Sequence, residues 1–204
     1  MINMIYSLLI VFLISFNQDI KRDIKVNQNA KASVSNSVKS NDDKRIKIEK
    51  FIKLVQPKYT SEKCEKIANI IFQKSDVYKI DPYLTASVAY VESEFSMNSR
   101  PCIGMMQLTR GSIRYYDPKR KHNPYSIEGN FEIGLVEMSH HFSNLSRNSN
   151  VPSRSTTRQV LLRYNGSRLK YTYAVKVLRV KNRLEKLNIE QIKSIIKKKS
   201  LWTI

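Results

Sequence analysis

The sequence predicts a mainly α-helical protein, and three observations carry that expectation. Apolar residues recur three and four apart instead of alternating: Ile67, Ile70 and Ile71 make one stripe, and Leu84, Val88, Val91 and Phe95 make another. Asp81 followed by Pro82 is a helix-start signal, because an aspartate accepts from the free amides of the first turn and proline lacks the amide that would go unpaired there. The stretch from Asn98 to Asn123, by its Gly, Pro, Ser and Asn content, reads as a loop-rich region beside the second stripe, with room for a few short strands.

Taken in order, Ile5 to Phe16 is apolar apart from Ser7 and Ser15. That run is shorter than the ~20 residues of a membrane-spanning helix and suits the central region of a signal peptide. Residues 1–17 are therefore read as a signal peptide or N-terminal membrane anchor. No Lys or Arg precedes the run, and no clear small-x-small cleavage site follows it. Residues 18–57 read as a flexible polar and basic tether: from Gln18 to about Asp43 few large apolar groups are available to offset the entropy of ordering, and lysines from Lys44 to Lys50 continue the basic character. Residues 58–187 form the expected catalytic domain, with further helices from about Asn130 to Leu145, Thr156 to Tyr164 and Tyr171 to Leu187. Residues 188–204 read as a basic amphipathic tail, combining Ile192, Ile195 and Ile196 with Lys193 and Lys197 to Lys199.

The 204 residues hold 36 Lys and Arg against 17 Asp and Glu, a net charge of +19. Such a charge points to an anionic partner, and nucleic acid, anionic lipid and an anionic cell wall all qualify. Cys64 and Cys102 are the only cysteines, and no Cys-x-x-Cys or local histidine cluster suggests a metal. In an exported protein the pair permits one disulfide. His122, His140 and His141 match no familiar ligand spacing and read as surface or packing histidines.

A carboxyl at the end of a buried helix has its proton held by desolvation and can serve as a general acid near neutral pH. Glu92 lies roughly 70° from the centre of the second apolar stripe, with Thr85 and Ala89 on its side. Glu94 lies at the opposite edge, beside Tyr90 and Val91. Periodicity alone does not choose between them.

The order of short motifs adds a choice. Glu92-Ser93-Glu94-Phe95 is followed by Gly104-Met105-Met106-Gln107, Asn123-Pro124, Asn130-Phe131 with Gly134, Tyr164-Asn165-Gly166, and Tyr173-Ala174-Val175-Lys176-Val177. This ordered set, over about residues 60 to 180, resembles the lytic transglycosylases of the soluble lytic transglycosylase type, which share the lysozyme-like fold. The resemblance implies an exported peptidoglycan-cleaving enzyme, periplasmic or extracellular, that needs no cofactor and no metal. Glu92 would protonate the glycosidic oxygen between N-acetylmuramic acid and N-acetylglucosamine, then act as base while the muramic acid C6 oxygen closes on C1. Such a route uses one carboxylate, where a hydrolytic glycosidase normally uses two.

By the same resemblance, Tyr164 would orient the Glu92 carboxyl and Asn165 would brace its loop or contact an acetamido group. Gly104 to Gln107, Met105 among them, would wall the sugar groove, with glycine admitting the backbone close to the ligand and Gln107 offering donor and acceptor; Met105 and Met106 suit packing better than binding, and a loop-stabilising amide is the other reading of Gln107. Ser93 would bind locally at the helix end. Arg163 and Ser167 depart from the family's small residues around Tyr164-Asn165-Gly166, and the Glu92–Gly104 loop, which contains Cys102, is shorter than the family's. Arg114, Tyr115, Tyr116, Lys119, Arg120 and Lys121 mix charge with aromatics, a composition that suits nucleic acid or, beside a saccharide groove, sugar stacking and attraction to wall anions.

Two rival functions follow. A muramidase of the same fold would need a second acid, for which Asp117 or Glu128 are the loop candidates. A basic protein binding cell wall or nucleic acid with an inert site is the other; export argues against nucleic acid, and the intact motifs argue against an inert site.

Overall fold

A computed structural model describes residues 40–146, 154–166, 170–186, 188 and 190–191. The chain divides into two compact units, Met1–Asp43 and Lys44–Ile204. The expected signal or anchor, most of the tether and nearly all of the C-terminal tail lie outside the described residues. The fold is mainly α: α1 (40–55, of which 44–55 belongs to the second unit), α2 (Ser61–Val77), α3 (Pro82–Ser93), α4 (Arg110–Tyr116), α5 (Ile127–Ser146), α6 (Arg154–Asn165) and α7 (Lys170–Lys186). Among the described residues, β structure is confined to an antiparallel bridge between Ile103 and Leu108. No described helix is long and apolar enough to cross a membrane.

Local chemistry sets the helix ends. Thr60 caps α2, its Oγ1 accepting from the Lys63 amide at 3.1 Å. Asp81 caps α3 through the Tyr83 amide at 2.9 Å, with Pro82 in the first turn as the sequence predicts. α3 packs on α2 and α7, α5 on α2 and α6, α6 on α7, and α4 on α5. The predicted stripes supply the core: Ile67, Ile70, Ile71, Leu84, Val88 and Phe95 are buried, while Val91 is only partly so.

One boundary differs from expectation. The tether was expected to run to residue 57, yet 44–55 is helical and drives Ile48, Phe51 and Ile52 fully into the core. Ile48, Phe51, Ile52 and Val55 are spaced 0, 3, 4 and 7, an apolar stripe sufficient to repay the ordering of a lysine-rich segment. Phe51 stacks against Tyr90 at 5.1 Å and against Phe95 at 5.5 Å between ring centroids. This trio lies under the turn that ends α3. There Glu94 and Phe95 both take left-handed backbone angles, φ 52° and 62°, at a cost of order 1 kcal/mol each. Gln56 Nε2 donates to Glu94 O at 2.8 Å and Tyr59 OH donates to Phe95 O at 3.0 Å, so the turn is held from outside the helix.

Candidate active site

The turn leaves Glu92 and Glu94 in different surroundings. Glu94 is exposed. Glu92 is half-buried, and burial raises its pKa above the ordinary carboxylate value against an opposing contribution from the Tyr173 hydroxyl. That hydroxyl is buried and faces Glu92 without closing a well-formed hydrogen bond, yet the approach is near enough for each group to move the other's proton affinity.

Three of the motif segments converge on the loop 103–108 next to Glu92. Ile103 and Leu108 exchange backbone hydrogen bonds at 3.0 and 2.9 Å, closing a tight turn. Ser93 Oγ, adjacent to Glu92, lies 2.9 Å from Met105 O and 3.0 Å from Ala89 O, two acceptors for its single proton. Asn130 is fully buried in α5, its Oδ1 accepting from the Met106 amide at 2.8 Å and its Nδ2 donating to Ile103 O and Pro124 O. Tyr164 OH, from α6, donates to Met106 O at 2.7 Å. The loop is thus positioned from three helices at once.

This geometry gives several of the expected site residues structural contacts, and Ser93 makes its expected local bond to Ala89 O at the end of α3. Met105 is 0% exposed and packs in the core, so it cannot line a groove. Gly104, at φ 71°, is required by the Asn130 carboxamide rather than by a ligand, since a Cβ would stand 2.2 Å from Nδ2. Gln107 Nε2 donates to Gly104 O at 2.8 Å and Ser99 O at 3.3 Å, bracing the loop. Ser93 is buried and clamps the same loop. Tyr164 supports Met106, whereas Tyr173 is the tyrosine that faces the Glu92 carboxyl. Asn165 is half-buried at the end of α6.

Neither loop candidate for a second acid stands at the site. Burial works against ionisation of Asp117, but the Lys121 and His122 amides, each at 2.9 Å, outweigh it and hold its pKa low. Glu128 is held low first by a backbone amide at the start of α5, against some burial and with help from Lys66 at 3.3 Å. The second carboxyl is Glu137, on α5. It is 8% exposed, and burial pushes its pKa up to about 7, with the charge of Glu92 adding to the rise and a hydrogen bond from Ser112 Oγ at 3.3 Å opposing it. Glu92 and Glu137 together also raise the hydroxyl pKa values of Tyr164 and Tyr173, after burial itself. Glu137 is embedded among Leu135 and Met138 on a buried helix face, and a lone carboxylate in such a stripe is the signal that would have found it.

Cys64 and Cys102 are free. The Cys64 thiol is buried against α1, close to Lys53, Glu49 and Lys50, whereas Cys102 lies within electrostatic reach of Tyr164, so the two face different neighbourhoods and the disulfide that the count permits is not formed. No grouping of three or more metal-binding side chains occurs among the described residues. His140 and His141 do not stand alone; with Tyr115 and Tyr116 they make an edge-to-face ring cluster. Glu92 and Glu137 line neither of two cavities of about 700 and 520 Å³, one between α6 and α7 and the other, which Asp117 lines, beside the α4–α5 connection. Compared with known proteins, the chain matches no family model, no curated protein and no solved structure.

Proposed function

We propose that this protein is an exported peptidoglycan lytic transglycosylase with a lysozyme-like fold, in which Glu92 is the acid and then the base. The observation that carries the reading is the convergence of Ser93, Asn130 and Tyr164 on the loop 103–108 beside a carboxyl whose pKa is raised by burial. Residues far apart in the chain, which together form the resemblance, thereby serve one local structure.

In the proposed reaction Glu92 donates its proton to the glycosidic oxygen between N-acetylmuramic acid and N-acetylglucosamine, and the C1–O bond breaks. The resulting carboxylate removes the proton from the C6 hydroxyl as that oxygen bonds to C1, giving a 1,6-anhydro end and returning Glu92 to its acid form. Tyr173, buried against Glu92, supplies a hydroxyl to the carboxylate that exists between the two steps. No cofactor is required. Gln107, Gly104 and Met105 shape the loop and do not touch sugar in this scheme.

Glu137 favours a second reading, a muramidase that hydrolyses the same bond. A buried carboxyl coupled to Glu92 is the kind of partner that hydrolysis needs and the transglycosylase route does not. Mass spectrometry of muropeptides released from purified peptidoglycan separates the two. Anhydro ends that disappear in Glu92→Gln support the transglycosylase. Reducing ends that disappear in both Glu92→Gln and Glu137→Gln establish the hydrolase. Release by neither the wild type nor a variant would sink both, in favour of a wall-binding protein.

A further inference from the structure

We propose that Tyr115 and Tyr116 of α4, with His140 and His141 of α5, form a saccharide-stacking platform beside Glu137, and that Arg163 of α6 takes a carboxylate carried by the same strand. The inference rests on the glycan-cleaving reading and extends it to a binding surface.

The ring cluster is closely built. Tyr115 and Tyr116 are 4.8 Å apart between centroids, Tyr115 and His140 5.9 Å, Tyr116 and His140 5.5 Å, and Tyr116 and His141 6.3 Å. Every pair meets edge to face, an arrangement that fixes each ring by its neighbours. The trio of Phe51, Tyr90 and Phe95 meets edge to face only between Phe51 and Phe95, and there the rings are covered by the core. Here Tyr115 is 67% exposed and Tyr116, His140 and His141 are half-buried, so the cluster presents one open ring backed by three that are partly covered. Rings held in advance lose little freedom when a ligand packs on them. A sugar matches such a surface because its ring has an apolar C–H face and a polar rim, which the tyrosine hydroxyls and imidazole nitrogens can satisfy.

Its position joins it to the carboxyls. His140 and His141 follow Glu137 by three and four residues, hence lie on the same face of α5, about 5 Å further along it. α4 is fastened at the same place: Thr109 caps it through the Ser112 amide at 2.9 Å, and Ser112 Oγ donates to Glu137 at 3.3 Å. Arg163 is exposed on α6, which packs directly against the α5 helix that carries His140 and His141, and its charge lowers the pKa of His141, after burial and His140. An uncharged polysaccharide gives a guanidinium nothing to pair with. A strand of N-acetylated amino sugars bearing lactyl or peptide carboxylates does.

The test is calorimetric titration of the full chain carrying Glu92→Gln, which prevents turnover, with chitotetraose and with a muramic acid-containing tetrasaccharide. Adding Tyr115→Ala is expected to weaken both by about tenfold and Tyr115→Phe to restore them, while Arg163→Gln weakens only the muramic strand. Circular dichroism checks that each variant is folded. If Tyr115→Ala and His140→Ala bind both strands as the parent does, the platform is wrong while the glycan reading stands. If the parent binds neither strand, the glycan reading falls and takes the platform with it.

Discussion

The Asn130 carboxamide lies over the α-carbon of Gly104, so that an added methyl group would stand 2.2 Å from Nδ2, 2.5 Å from the amide carbon and 2.8 Å from Oδ1. Asn130 cannot retreat, because its two polar atoms bind three backbone groups of the loops on either side. Gly104→Ala is therefore expected to cost about 3 kcal/mol, from the clash and the left-handed φ together. Gly111, in α4, meets only Thr109 Oγ1 at 3.5 Å, and Gly111→Ala is expected to be neutral or to stabilise by about 0.5 kcal/mol. Paired denaturant titrations check both.

Asn130→Asp retains the acceptor for the Met106 amide but turns a carboxylate oxygen toward the carbonyls of Ile103 and Pro124. It is expected to destabilise by about 3 kcal/mol at pH 7 and by less at pH 4, where the carboxyl can be protonated and donate to one carbonyl. Thermal melts at the two pH values provide the comparison. An unchanged melting temperature at pH 7 would contradict the placement of Asn130.

Glu137 holds its proton more tightly in the folded chain than in the unfolded one, with a pKa of about 7 against an ordinary 4.5. Protonation consequently favours the folded state, and stability should fall as pH rises from about 4.5 to about 7, by up to about 3 kcal/mol. Glu137→Gln removes that dependence. The variant should melt above the wild type at pH 8 and close to it at pH 4. Carboxyl carbon NMR adds a second measurement: Glu92→Gln deletes a neighbouring negative charge and should bring the Glu137 titration below about 7.

Tyr173→Phe and Tyr164→Phe should separate two roles. The Tyr173 hydroxyl lowers the pKa of Glu92, so its removal is expected to raise that pKa, move the alkaline limb of kcat/KM upward and lower kcat. Tyr164→Phe deletes a hydrogen bond to Met106 O and is expected to cost about 1 kcal/mol of stability while leaving that limb in place. A shift of the limb by Tyr164→Phe instead would return Tyr164 to the carboxyl.

The helices were legible where apolar spacing met a clear cap, as in α2 and α3, whose stripes are buried as expected. α4 was hidden inside a segment rich in Gly, Ser and Asn, because its short run of seven residues relies on the Thr109 cap and on packing against α5. The motif order picked out residues that the fold brings together around the loop 103–108, but not the contact each one makes there. Hydrogen bonds such as that of Ser93 to Met105 O span separations that no local pattern encodes. Glu137 went unseen because the acid candidates were sought in loops, while burial on α5 is what perturbs it.

The aromatic trio of Phe51, Tyr90 and Phe95 couples the mount of the acid to a helix more than thirty residues upstream. Any truncation that trims the chain back to the start of α2 would remove one of the three rings together with Gln56 and Tyr59, which grip the turn after Glu92. Such a fragment could keep α2 to α7 and still aim its carboxyl differently. The boundary of the working domain is thus a matter of leverage on Glu92 as much as of folding.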